Sequence, residues 1–196
     1  INYIFEIKKM LNLTSNRVVV LGVIFLLMLM TRGSHFLTEL NLPDMSLILF
    51  LILGFFIPSL TLFFALFFVG TLIDFGSAVF DVTKGFCLTD GYWGLIPTYA
   101  ILFYSGYLIK KKNLYQYLNF YVPILLVSIT FAFIVSTNTY YIFSGRFGNP
   151  SFFESIMHGW NYYPEYLLTN VVYGLIFFFL LKLKRVSQFI SVFKSN

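Results

Sequence analysis

PDMSLILFLILGFFIPSLTLFFALFFVGTLI, residues 43–73, is the stretch on which the fold turns. It opens with Pro43-Asp44, a helix-start pair: proline suits the first turn, and a carboxylate sits well beside the free amides there. An apolar run follows and is broken once, at Pro58-Ser59. Two readings follow. One is a single kinked helix of about 30 residues; the other is a hairpin of two helices turning at Pro58-Ser59. Each half holds only some 15 residues, or about 22 Å of helix, which is short against a hydrocarbon core of about 30 Å. Length therefore favours the kinked helix.

Working outward, the rest of the 196-residue chain is of the same kind, 59% hydrophobic and 11% charged with a mean hydropathy of +0.83. A soluble domain carries about 25% charged residues, so lipid is the solvent that accommodates this composition. Further apolar segments lie at 18–36, 93–109, 118–137 and 165–183. With 43–57 and 60–74 counted separately, the expected fold is an all-α membrane protein, a six-transmembrane-helix bundle forming one integral membrane domain over 1–196. Residues 1–16 read as a short interfacial helix.

Charge then opposes length. Basic residues near span ends favour the cytoplasmic side. Six spans with both termini cytoplasmic place Lys8, Lys9, Arg17, Lys110, Lys111, Lys112, Lys182, Lys184, Arg185 and Lys194 inside, 10 of the 13 basic residues. Arg32, Lys84 and Arg146 fall outside, and of the eight acids only Glu6 falls inside. Five spans with the N-terminus outside would strand Lys8, Lys9 and Arg17 there. The hairpin is preferred on this ground, with its short halves shielded by neighbouring helices. The expected location is a bacterial inner (cytoplasmic) membrane, multi-pass.

The outer face of that arrangement collects the ionisable residues Arg32, His35, Glu39, Asp44, Asp74 and Asp81. Such groups at span ends either sit at headgroup level or pair with one another. Pairing of Arg32 with Asp44 or Asp74 would build an outward-facing polar pocket, with Tyr99 on its wall. Residues 138–164 form an expected outer loop crowded with rings, among them Tyr140, Tyr141, Phe147, Trp160, Tyr162 and Tyr163, interleaved with Arg146 and His158. An interfacial aromatic belt accounts for part of this; a lid that meets a planar ligand, with Arg146 near its polar group, accounts for the rest.

Other chemistries find little support. His35, His158, Asp74, Asp81 and the single Cys87 show no metal-ligand spacing, and no cofactor is expected. No nucleophile–base pair or Walker motif is present, so the chain reads as neither an enzyme nor an ATPase. Its basic residues are juxtamembrane, unlike a nucleic-acid-binding stripe.

LNLPDMSLILFLILGFF (40–56), FCLTDGYWGLIPTYAILFYSGY (86–107), STNTYYIFSGRFGNPSF (136–152) and YYPEYLL (162–168) carry a family resemblance. The chain resembles the substrate-binding membrane subunits (S components) of energy-coupling-factor vitamin transporters, and more closely the proteobacterial membrane proteins labelled cobalamin ABC transporter. The resemblance implies uptake of a vitamin-like or corrinoid small solute from outside, passed inward with energising transmembrane and ATPase subunits. The site expected from the placement of ionisable and aromatic residues comprises Arg32, His35, Asp44, Asp74, Asp81, Tyr99, Arg146, His158, Trp160 and Tyr163. The rival reading is an accessory subunit of a larger membrane complex that docks partners through the aromatic loop.

Overall fold

The computed structural model describes residues 15–32, 42–80, 88–148 and 150–183. The expected interfacial helix at 1–16, the site candidates His35 and Asp81, and Cys87 lie outside the described residues, apart from the last two positions of that helix. The described residues are helical, with no strand among them. They form α1 (Ser15–Arg32), α2 (Ser46–Phe56), α3 (Leu60–Phe80), α4 (Leu95–Lys111), α5 (Leu118–Phe143), α6 (Phe152–Gly159) and α7 (Tyr163–Lys182). Single 3-10 turns at Asp90–Gly94, Leu114–Gln116 and Trp160–Tyr162 lead into α4, α5 and α7.

The 43–73 stretch is a hairpin. Pro58 has no amide to continue the helix, and α2 ends at Phe56 with the Ile57 amide donating to the Leu53 carbonyl at 2.7 Å. The next helix starts at Leu60, held by the Phe63 amide on the Ser59 carbonyl. Arg32 supplies the proof of reversal: its guanidinium touches Ser46 at the start of α2 and Asp74 late in α3. Those positions share one level only if the chain turns back between them.

The two arms of the hairpin differ in environment. All but Ile52 of the eleven α2 residues are buried, as expected for a helix apolar on every side. At about 1.5 Å per residue it is roughly 16 Å long, too short to cross the hydrocarbon alone, and its neighbours cover it. Its main partner is α4, and the two backbones touch. A Cβ on Gly54 would run into the Phe103 carbonyl oxygen, and one on Gly106 into that of Leu51. Here glycine is required by close approach.

The longer arm, α3, shows large apolar side chains outward. Phe64, Phe68, Leu72, Phe75 and Val79 form an exposed stripe at helical spacing, with Val79 80% exposed. A water-soluble helix would place polar residues there. Three helical stretches are long and apolar enough to cross a membrane, Leu60–Val79, Leu118–Phe143 and the continuous run Phe152–Lys182. The chain is therefore a multi-pass membrane protein.

Two ends are distinct. One gathers Arg32, Ser46, Asp74, Tyr92 and Tyr99 through direct hydrogen bonds. At the other, the Tyr115 ring meets Phe55 at 5.3 Å beside the hairpin turn, and Lys182 Nζ donates to the Gln116 carbonyl at 2.6 Å. Lys110 and Lys111 close α4 at this second end.

The expected outer loop 138–164 is largely ordered as helix. Residues 138–143 extend α5, and 152–162 form α6 and its 3-10 continuation. The signal was Ser151-x-x-Glu154: the Glu154 amide donates to Ser151 Oγ, and the Ser151 amide to Glu154 Oε2 at 2.7 Å. This reciprocal capping box starts a helix where ring content suggested a loop.

Candidate functional site

Arg32 ends α1 and lies along α3 beside Gly70, where a Cβ would meet the guanidinium at 3.6 Å, an ordinary van der Waals contact. Its Nε donates to Asp74 Oδ1 at 2.8 Å and its Nη2 to Asp74 Oδ2 at 2.6 Å, a bidentate pair. Nη1 donates to Ser46 Oγ at 2.9 Å and to Tyr99 Oη at 2.6 Å. Four of the five guanidinium N–H groups are thus engaged by the protein. Asp44 Oδ2 stands 3.8 Å from Nη1, near enough for attraction and too far for a hydrogen bond.

The surrounding residues hold this cluster in place. Asp44 Oδ1 accepts from both the amide and the hydroxyl of Ser46, satisfying an open amide at the start of α2. Tyr99 stacks on Phe50, with ring centroids 4.4 Å apart and planes 6° apart, which aims its hydroxyl at Arg32. Tyr92 donates to Asp74 Oδ2 at 2.9 Å. A buried guanidinium is costly unless paired and fully hydrogen-bonded, and the Arg32 side chain is only 9% exposed. The cluster therefore ties α1, α2, α3 and α4 together at one end.

Beside it lies a cavity of about 600 Å³, walled mainly by Tyr92, Phe133, Tyr140, Tyr141, Tyr162 and Tyr166, with Ser136, Thr137 and Thr139 from α5 among its polar lining. Its size is that of a small-molecule site, and so is its character: apolar walls with few polar groups. The turn Asp90–Gly94 forms one side because Gly91 and Gly94 both pack against Thr139 with no room for a Cβ. A second cavity of about 310 Å³ is lined by Pro43, Asp44, Leu47, Glu165, Thr169 and Asn170, and shares Tyr162 and Tyr166 with the first.

The structure brings together four of the expected site residues: Arg32, Asp44, Asp74 and Tyr99. Of the other candidates, His35 and Asp81 lie outside the described residues, and Arg146, His158, Trp160 and Tyr163 stand apart from this cluster. Arg146 is exposed on the bend after α5. His158 stacks on Tyr141 at 5.6 Å, which puts it behind the larger cavity's wall. Trp160 stacks on Tyr163 at 5.1 Å, and the Tyr163 hydroxyl is 2.8 Å from that of Thr130. None of these last four lines either cavity.

Sequence reasoning did not single out Tyr92, Phe133, Ser136, Glu165 or Asn170 as site residues. A signal for Tyr92 existed in Gly91-Tyr-Trp-Gly94, whose glycines three apart mark a backbone approach. No group of three or more His, Cys, Asp or Glu able to hold a metal occurs among the described residues. Compared with known proteins, the chain matches no family model and no curated sequence.

Proposed function

We propose that this protein is a membrane-embedded uptake component that binds a vitamin-sized organic solute in the tyrosine-walled cavity. The observation that carries this reading is the cavity of about 600 Å³ itself, at the end where Arg32, Asp44 and Asp74 meet. That end faces outward and both termini face the cytoplasm, because Lys110, Lys111 and Lys182 gather at the opposite end. The six longer helices then serve as the membrane bundle, with α2 as its shielded centre.

The Arg32 cluster is the scaffold of the site rather than its ligand anchor, since its donors are engaged within the protein. The volume lies within the range for drug-sized ligands and suits a molecule of one or two fused rings better than a whole corrinoid. The resemblance at 40–56, 86–107, 136–152 and 162–168 supports import together with energising transmembrane and ATPase subunits.

Native mass spectrometry of the protein purified in nanodiscs tests the reading. The expected result is a small organic molecule carried by the native chain and lost from Ser136→Phe, which fills the cavity. An empty native protein that binds nothing in a panel of water-soluble vitamins would overturn it.

A second reading has one observation in its favour. Phe153 and Met157 on α6 are 77% and 72% exposed, a surface suited to docking an accessory subunit's partner. Stoichiometric co-purification of another membrane protein with an empty cavity would select it.

A further inference from the structure

The smaller cavity is lined by acceptors. Asp44 and Glu165 bring carboxylates, and Thr169 and the shared tyrosines bring hydroxyls. Asn170 is 4% exposed; its Nδ2 donates back to the Tyr166 carbonyl at 2.9 Å, which fixes the amide orientation and leaves Oδ1 buried with no partner. A buried carbonyl oxygen left unsatisfied is costly, and the group that satisfies it must be a donor. Asp44 Oδ1 is occupied by Ser46, but among the described residues Oδ2 has only the distant Arg32 contact at 3.8 Å. Arg32 is itself committed to Asp74. Among the described residues no Lys, Arg or His lines either cavity.

The two cavities adjoin through Tyr162 and Tyr166. We propose that the solute is an amphipathic organic cation, its planar apolar body in the larger cavity and its ammonium group in the smaller one. This rests on the solute-binding reading above and names the substrate class. The ammonium would pair with Asp44 and Glu165, and Asn170 Oδ1, closed to solvent as it stands, would accept from it once the side chain swings toward the cavity, while the tyrosine faces on the shared wall add cation–π attraction. A carboxylate or phosphate in the same place would meet two like charges and an amide oxygen, with no cationic side chain on the wall to receive it.

Three probes with one ring system test this on the full chain in nanodiscs of zwitterionic lipid: tryptamine, 3-methylindole and indole-3-acetate, with affinities measured by calorimetry. Tryptamine is expected to bind about tenfold or more tighter than 3-methylindole, with indole-3-acetate weakest. Glu165→Gln, at an exposed position in the first turn of α7, is expected to erase most of the tryptamine preference.

Equal binding of tryptamine and 3-methylindole, or a preference unchanged in Glu165→Gln, would overturn the cation assignment. The cavity reading survives that result if Ser136→Phe still abolishes 3-methylindole binding. Failure of all three probes to bind overturns both.

Discussion

Arg32 and Asp74, 42 residues apart in sequence, meet through two parallel hydrogen bonds of 2.8 and 2.6 Å at the end of the bundle away from the hairpin turn. This pair reports the direction of the chain as well as closing a charge. Because Arg32 also holds Ser46, it fixes α2 and α3 as antiparallel neighbours and settles the hairpin at Pro58-Ser59.

Breaking the pair from one side leaves an uncompensated charge among apolar helices. Arg32→Met or Asp74→Asn is expected to cost about 3–5 kcal/mol of stability. The double replacement Arg32→Met with Asp74→Leu should cost less than either alone, because both charges leave together. Denaturant titration of the purified protein, followed by far-UV circular dichroism, measures each. Single variants as stable as the native chain would show that the bond is not an anchor.

Gly54 and Gly106 make a second prediction, on packing. Alanine at either position drives a methyl into a backbone carbonyl of the facing helix, and overpacking of this kind costs about 1–3 kcal/mol, with more where backbone cannot yield. At Gly22 and Gly76 an added Cβ would meet nothing within 4 Å, so alanine there should be neutral or slightly stabilising through helix propensity. Thermal unfolding of the four variants in one detergent separates the pairs.

Much of the fold was legible from the sequence and less of the site. Helix positions followed from apolar runs, and the hairpin from basic residues clustering at one end, an electrostatic signal that outweighed length. Arg32, Asp44, Asp74 and Tyr99 could be grouped because ionisable residues in a membrane chain have few alternatives to pairing. The cavity could not be read. Tyr92, Phe133 and Tyr166 come from α4's leading turn, α5 and α7, and only the packing of three helices decides that they face one space. Ring-rich composition pointed to the right region, but it could not separate Tyr141 on the wall from Trp160 on the exterior.

The capping box gives a third prediction. Ser151→Ala removes the acceptor for the Glu154 amide, and loss of such a cap costs about 0.5–2 kcal/mol. The loss should be local. Amide hydrogen exchange is expected to speed up across 152–159 while α2 and α4 remain protected. Uniform loss of protection would mean that α6 is coupled to the whole bundle.

The hairpin can be checked from outside the protein. On a Cys87→Ser background, Ser59→Cys, Gln116→Cys and Asp90→Cys place single thiols at the hairpin turn, the α4–α5 connection and the turn before α4. The Tyr115–Phe55 contact places the first two at one end, and the Tyr92–Asp74 bond places the third at the other. In intact cells stripped of outer membrane, a membrane-impermeant maleimide should label Asp90→Cys alone. Opening the membrane should add Ser59→Cys and Gln116→Cys together, because both then face the exposed cytoplasmic side. A single kinked helix would hold Ser59 at mid-membrane depth, and its thiol would stay unlabelled in both preparations. Labelling of all three from outside would instead reverse the assignment of the basic end to the cytoplasm.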